Sequence, residues 1–298
     1  MNLSNIESAP IAGFTNQAFR RVLIKYGAKT VYTEMVSATA MFYGNKKTLE
    51  LLAHDKVDGI KNVVQLFGKT PEHFEFAIKS GHLDSFDEIN INMGCPAPKI
   101  TKNGEGCALM KSPELAREII KACVHSTNKP VTAKFRLGFT EPYITAIEFA
   151  KMCEQAGASK IIVHGRFASQ GYSGVADWNT IKRVVDSVKI PVVANGDIID
   201  ETSARKCLET TGANNLMMAR ATLGAPWKIN PTNPTPDVLD VIKYHMDMHI
   251  ECHGAETFPE IKKQLLYYCN HLENSRDLKL KIAISKSFDE AKQILGIN

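Results

Sequence analysis

Short β-branched and apolar runs alternate along the chain with segments whose apolar positions recur at helical spacing, and the alternation completes eight times before residue 225. The runs are IESAPIA from Ile6, TVYTEM from Thr30, NVVQLF from Asn62, FDEINI from Phe86, VTAKFR from Val131, KIIVHG from Lys160, PVVANG from Pro191 and NNLMMA from Asn214. Between them, TNQAFRRVLIKYG (15–27), TPEHFEFAIKSG (70–81) and SPELAREIIKACV (112–124) predict helices. Each opens on a Ser or Thr cap followed by a helix former or Pro, and the first two close on Gly. Eight strands with intervening helices predict an α/β fold of the (β/α)8 TIM-barrel type. An open doubly wound sheet is the alternative, but no GxGxxG follows any of the runs.

The segment NPTNPTPDVL, residues 230–239, carries three prolines and reads as a linker. Beyond it the strand signals stop, and DVIKYHMDMHIECH and IKKQLLYYCNHL show only helical spacing. The expected organisation is a barrel over residues 1–229 and a small all-helical C-terminal domain over residues 230–298.

A chain of 298 residues can bury a sizeable core. Its start, MNLSNIESAPIAGF, lacks a basic segment followed by an apolar one, and no run of about 18 apolar residues follows, so a cytoplasmic protein away from membranes is expected. Seven scattered cysteines without a CxxC pair exclude an obvious disulfide framework or zinc site. A net charge of +4 is too mild to argue for nucleic acid by itself. Local counts change that picture: eight Lys or Arg stand against three acids from Lys99 to Arg136, and six against two from Ile261 to Lys286. Both stretches are candidate phosphate-facing surfaces, although solvated lysines are the commoner cause of such counts.

Barrels place reactive groups at the C-terminal ends of their strands. The runs end at Pro10, Ile11 and Ala12; at Glu34; at Gln65; at Asn90, Asn92 and then Cys95; at Lys134 and Arg136; at His164 and Arg166; at Asn195, Gly196 and Asp197; and at Arg220. Any one of these alone reads as an ordinary loop residue, but seven polar ends together outline a site. The ends of strands seven and eight, with Arg220, suit a phosphate group. Cys95 lies in NMGCPAPK, a loop of Asn, Gly and Pro rather than an apolar core position. An unperturbed thiol is roughly 97% protonated at pH 7, which makes it a proton donor by default. Activation as a nucleophile by Lys99 and Lys102 is the minority alternative.

These pieces resemble the tRNA-dihydrouridine synthase family. APIAGFTNQAFR resembles its opening A-P-M-A-G-x-T-D-x-x-F-R, NMGCPAPK resembles its cysteine loop, and VTAKFRLG, VHGRFASQGYSGVADW, VVANGDI and MMARATLGAPW resemble its later signatures in the same order. The resemblance implies FMN across the barrel mouth, contacted by Pro10, Ile11, Ala12 and Gln65, with Lys134 and His164 against its rings and Asn195, Gly196, Asp197, Ala219 and Arg220 around its phosphate. It implies that NADPH or NADH reduces FMN, that hydride passes to C6 of a tRNA uracil, and that Cys95 protonates C5. Asn90, Asn92, Lys99, Lys102, Arg136 and Arg166 are the implied contacts to uridine or nearby phosphates. Lys262, Lys263, Arg276, Lys279, Lys281 and Lys286 are the corresponding basic set on a tRNA-recognition tail, although residues 230–298 carry eight basic and ten acidic groups. The sequence departs from the family pattern at Ile11, Asn16, Phe167 and Ala219, the last standing where Gly usually precedes Arg.

Flavin barrels that oxidise dihydroorotate also carry an Asn-rich loop with Cys and Pro, but they need neither the helical tail nor the long HGR to ADW segment. A non-enzymatic RNA-binding protein is the third reading, against which the polar strand ends speak. His245, His249 and His253 share one helix beside Cys252, yet no HExxH or closed Cys/His set accompanies them, so no metal site is expected and they read as a helix face. A monomer without an obligate protein partner is expected.

Overall fold

The computed structural model describes residues 3–297. Eight strands appear at the eight expected runs: β1 (Glu7–Ser8), β2 (Thr30–Ser37), β3 (Lys61–Phe67), β4 (Glu88–Met93), β5 (Val131–Arg136), β6 (Lys160–His164), β7 (Val192–Asn195) and β8 (Asn215–Met218). All ladders are parallel and run from β2 through β8 to β1. β1 is short because Pro10 has no N–H for a ladder and the chain turns at Ile11. It lies against β2, so the sheet is a nearly closed barrel.

The barrel is wrapped by helices α1 (Gln17–Lys25), α2 (Pro71–Lys79), α3 (Pro113–His125), α4 (Ala146–Gln155), α5 (Trp178–Val185) and α6 (Glu201–Thr211). The capping expectation needs correction. Asn16 rather than Thr15 caps α1, accepting from Phe19 N, and neither Thr70 nor Ser112 makes a side-chain cap bond. Thr15 is occupied elsewhere, its hydroxyl closing a turn on the backbone of Ile11.

Two cores follow from the alternation of each strand. The outer one packs strands against helices and continues without a break into the C-terminal segment. The inner one, inside the barrel, holds Ala9, Tyr32, Val63, Ile162, Val193 and Met217. Above it lie inward-facing polar residues of the mouth, and below it Glu7, Glu88 and Lys160 form a charged floor with Lys160 Nζ 3.1 Å from each acid.

The C-terminal segment is helical as expected: α7 (Val238–His253), α8 (Phe258–Tyr268), α9 (Ser275–Ile284) and α10 (Phe288–Leu295). α7 packs along α1. Arg21 of α1 bridges Asp55 and Glu251 of α7 at 2.7 Å each, and Asn233 in the linker donates to Tyr26 O. His245 and His249 lie on the buried face of α7, His245 stacked on Phe19 and hydrogen-bonded to Tyr268, and His249 bonded to Thr257. His245 thus packs the tail onto α1, while His249 packs within the tail. Among the described residues no helix is long and apolar enough to cross a membrane.

Candidate active site

The strand ends open into a cleft of about 620 Å³ that adjoins a smaller chamber of about 300 Å³. Pro10, Ile11, Ala12, Gln65, Asn92, Cys95, Lys134, Arg136, His164, Asn195, Ala219 and Arg220 line the larger space. Gly196 and Asp197 join His164, Asn195 and Arg220 around the smaller one, where β7 and β8 end. Thus six of the seven polar strand ends, with the apolar end of β1, converge on one place, whereas Glu34 of β2 lines neither space and accepts from Gly13 N.

The Cys95 loop is shaped by hydrogen bonds from its own neighbours. Asn92 Oδ1 accepts from the backbone N–H groups of Gly94 (3.1 Å) and Cys95 (2.9 Å), forming an Asx turn as β4 ends. Cys95 O accepts from Cys107 N. Gly106, at φ +59°, makes this return possible, since a Cβ there would stand 2.7 Å from Cys95 O. The result is a partly exposed thiol at the cleft wall, whereas Cys107 is buried and its thiol is pushed up to about 12 by desolvation.

Burial and the neighbouring Arg136 guanidinium lower the Lys134 ammonium to about 8. Burial also drives His164 well below the ordinary histidine range, with Lys134 and Arg136 adding repulsion, so the ring is neutral at pH 7. The wall therefore offers one cationic and one neutral nitrogen donor side by side on β5 and β6. Arg136 Nη1 donates to Phe167 O and Gly171 O, and its Nε to Gly94 O, which ties the cysteine loop to the β6 loop.

Asp197 would repel a phosphate if its carboxylate faced the small chamber. Instead it accepts from Arg166 Nη2 at 2.8 and 2.9 Å and from Ala176 N at 2.7 Å, and its φ of +55° is the left-handed form that Asp tolerates. Arg220 is half exposed at the chamber edge. Ala219 lines both spaces beside Arg220.

Two expected substrate contacts are corrected by burial. Asn90 is fully buried one layer below Asn92, with its amide spent on Gln65 and Thr132. Arg166 lies behind the rim, 2% exposed, held by Asp197 and the carbonyls of Ser173 and Gly174. Lys99 and Lys102 are exposed on the short helix that follows the cysteine. On the tail, Lys263 stands over the Phe14 ring at 4.8 Å. Arg276 and Lys279 line a groove with Tyr267, and Tyr267 meets Phe14 edge-on at 5.6 Å. Lys262 donates to Ala283 O, Lys281 pairs with Asp277 within α9, and Lys286 is exposed beyond it.

Tyr172 was absent from the sequence-based set. It is exposed over both chambers, its ring 4.7 Å from the Arg220 guanidinium and 5.8 Å from that of Arg136. Its signal was an aromatic between glycines in QGYSG, a mobile-looking stretch that spacing alone does not assign to the mouth.

Comparison with known proteins agrees with this arrangement. The chain is 35% identical to a probable tRNA-dihydrouridine synthase of Rickettsia conorii, over 93% of this chain and 87% of that protein. It is 34% identical to probable tRNA-dihydrouridine synthase 1 of Synechocystis sp., over 98% and 85%, and 32% identical to tRNA-dihydrouridine synthase B of Vibrio parahaemolyticus, over 93% and 89%. Among solved structures, histamine dehydrogenase from Rhizobium sp. 4-9 matches 88% of this chain and 49% of its own at 13% identity with a TM-score of 0.57, a likeness of fold. The family model for dihydrouridine synthase (Dus) matches residues 7–296, and the chain belongs to that family.

Proposed function

We propose that this chain is a cytoplasmic enzyme that reduces specific uridines of tRNA to 5,6-dihydrouridine, with FMN in the cleft and NADPH or NADH as electron donor. The observation that carries this reading is the convergence of Cys95, Lys134 and His164 on one cleft whose smaller chamber is edged by Arg220 and whose lining carboxylate, Asp197, is neutralised by Arg166 and Arg220. These residues fit the cofactor: Pro10, Ile11 and Ala12 give an apolar wall beside Gln65, and the chamber at β7 and β8 suits its phosphate. When bound, FMN supplies hydride chemistry to C6 of the uracil.

The protein contributes orientation and the proton. Cys95 donates to C5, a task for which a protonated thiol on a preset turn is suited. Lys134 and the neutral His164 supply hydrogen-bond donors at the wall, and Asn92 holds the cysteine turn while facing the cleft. The uracil must be extruded from the tRNA at a cost of a few kcal/mol. Basic and aromatic groups that continue from the mouth offset it: Lys263 and Phe14 at the rim, then Tyr267, Arg276 and Lys279 along the tail groove. Residues 1–229 thus act as the catalytic barrel and residues 230–298 as the tRNA-recognition unit.

The test is anaerobic. The purified protein is photoreduced and mixed with unmodified tRNA transcript or with orotate while flavin absorbance is followed. Reoxidation by tRNA alone is expected, slowed at least about a hundredfold in Cys95→Ala. Reoxidation by orotate alone, or a protein without a flavin spectrum, overturns the reading.

A further inference from the structure

Beneath the cleft a file of buried side chains runs down the inside of the barrel. Asn92 Nδ2 donates to Gln65 Oε1 (2.8 Å), Gln65 Nε2 to Asn90 Oδ1 (2.7 Å), Asn90 Nδ2 to Thr132 Oγ1 (2.9 Å), and Thr132 Oγ1 to Glu88 Oε1 (2.8 Å). None of the five is more than 8% exposed. At the top, Asn92 Oδ1 receives the N–H groups of Gly94 and Cys95; at the bottom, Glu88 is held by Lys160 at 3.1 Å and Lys61 at 3.6 Å.

The two ends differ in kind. Backbone N–H groups only donate, and a carboxylate paired with ammonium groups only accepts. Between such ends a file of amides and one hydroxyl has a single polarity in which every link is made. Reversing any one amide sets donor against donor or acceptor against acceptor, and each broken link leaves a buried polar group unsatisfied.

We propose that Glu88, on the barrel floor, is a positioning residue for Cys95: it fixes the direction of the file through Thr132, Asn90 and Gln65, and so presents Asn92 Oδ1 to the cysteine turn. The residue does not touch substrate. Its link to catalysis rests on the reading of Cys95 as the acid, whereas its link to the geometry of the turn does not.

Glu88→Gln keeps the shape and changes the end group. Lys160 Nζ lies within 3.2 Å of both Glu88 oxygens, so the new NH2 either meets Thr132 and reverses the file or meets Lys160 and leaves Thr132 an uncharged, weaker acceptor. The probe is iodoacetamide, with modification of the Cys95 peptide in the full-length protein followed by mass spectrometry and Cys252 as internal reference. We expect Cys95 to react about three- to tenfold faster in Glu88→Gln, the effect of losing about one net hydrogen bond from the turn, with the Cys252 rate unchanged. Thr132→Val, which keeps shape and loses the hydroxyl, should behave in the same way, and Thr132→Ser should restore the wild-type rate. If Glu88→Gln does not fold, the Thr132 pair decides.

Equal Cys95 rates in Val and Ser variants of matched melting temperature overturn the proposal. Because alkylation needs neither flavin nor tRNA, it can succeed while the catalytic reading fails. In turnover with tRNA, Glu88→Gln should lower kcat and leave KM within about twofold; lost turnover with unchanged alkylation overturns the relay and leaves the catalytic reading intact.

Discussion

Replacing Lys134 with Met tests how the cleft treats charge before any ligand arrives. Met keeps the length and the apolar stem and removes the ammonium. In the folded chain burial, reinforced by Arg136, brings the ammonium from an ordinary value of 10.5 to about 8. Between those two values the unfolded chain binds one proton more than the folded one, so wild-type stability rises with pH across this window. From pH 7 to pH 9.5 the rise due to this group is about 2 kcal/mol, an upper bound because Lys134 keeps some contact with water. The Met variant lacks the rise. It should be more stable than wild type at pH 7 by up to about 3 kcal/mol, and the advantage should shrink to about 1 kcal/mol at pH 9.5. Urea unfolding of both flavin-free proteins at the two pH values measures it. Parallel pH dependences, or a variant less stable than wild type at pH 7, would refute the claim that the cleft holds a cation at a cost to the fold. On the proposed reading the same variant should lose FMN affinity, because a costly cation is the part of a site that an electron-rich ligand relieves.

Other outcomes follow from packing and pairing. Arg166→Leu takes from the Asp197 carboxylate its two-bond partner, leaving it Ala176 N and Arg220 at 3.7 Å, and should lower stability by about 2 kcal/mol, read as a fall in melting temperature. Gly224→Ala sets a Cβ 2.4 Å from Tyr267 C at a φ of +72°, so it should cost about 3 kcal/mol and make the C-terminal helices susceptible to limited proteolysis. Burial lowers His245 to about 3 and His249 to about 4, so the unfolded chain takes up protons below pH 6.5 that the folded chain refuses. Stability should therefore be complete above pH 6.5 and fall by at least about 3 kcal/mol as pH drops to 4, with a shallower fall in His249→Gln, as acid-unfolding curves would report.

Much of this molecule was legible before any coordinates. The strand runs are β-branched and bounded by Gly, Pro and Asn, and the parallel barrel buries both faces of its strands, so KIIVH and PVVAN announce themselves. The rule that strand ends carry chemistry then picked out Gln65, Asn92, Cys95, Lys134, His164 and Asn195, all of which reach the cleft. Depth was not legible. Asn90 and Asn92 both point inward by the period of two, and only the register, which sets Asn90 opposite Gln65 and Thr132, shows that one belongs to the mouth and the other to the layer beneath. Arg166 misled for another reason. A long cation after a strand reads as a ligand contact until its acid is found, and Asp197 lies 31 residues further along the chain. Helix caps failed similarly, because Thr15 had a nearer backbone partner than the helix it precedes.

Helix α8 is joined to the barrel at both sides of the mouth: Gln264 donates to Phe14 O in the turn after β1, and the Tyr267 backbone lies against Gly224 after β8. On the proposed reading of the tail as the tRNA-recognition unit, it is not a detachable reader bolted to a finished catalyst. Exchange of tails between relatives to alter which uridine is chosen would have to carry the β1 turn and the β8 turn along, so the unit that can be inherited or transplanted intact is a composite of three segments distant in sequence. If the tail reads tRNA as proposed, selectivity for RNA and the shape of the reaction chamber are constrained to change together.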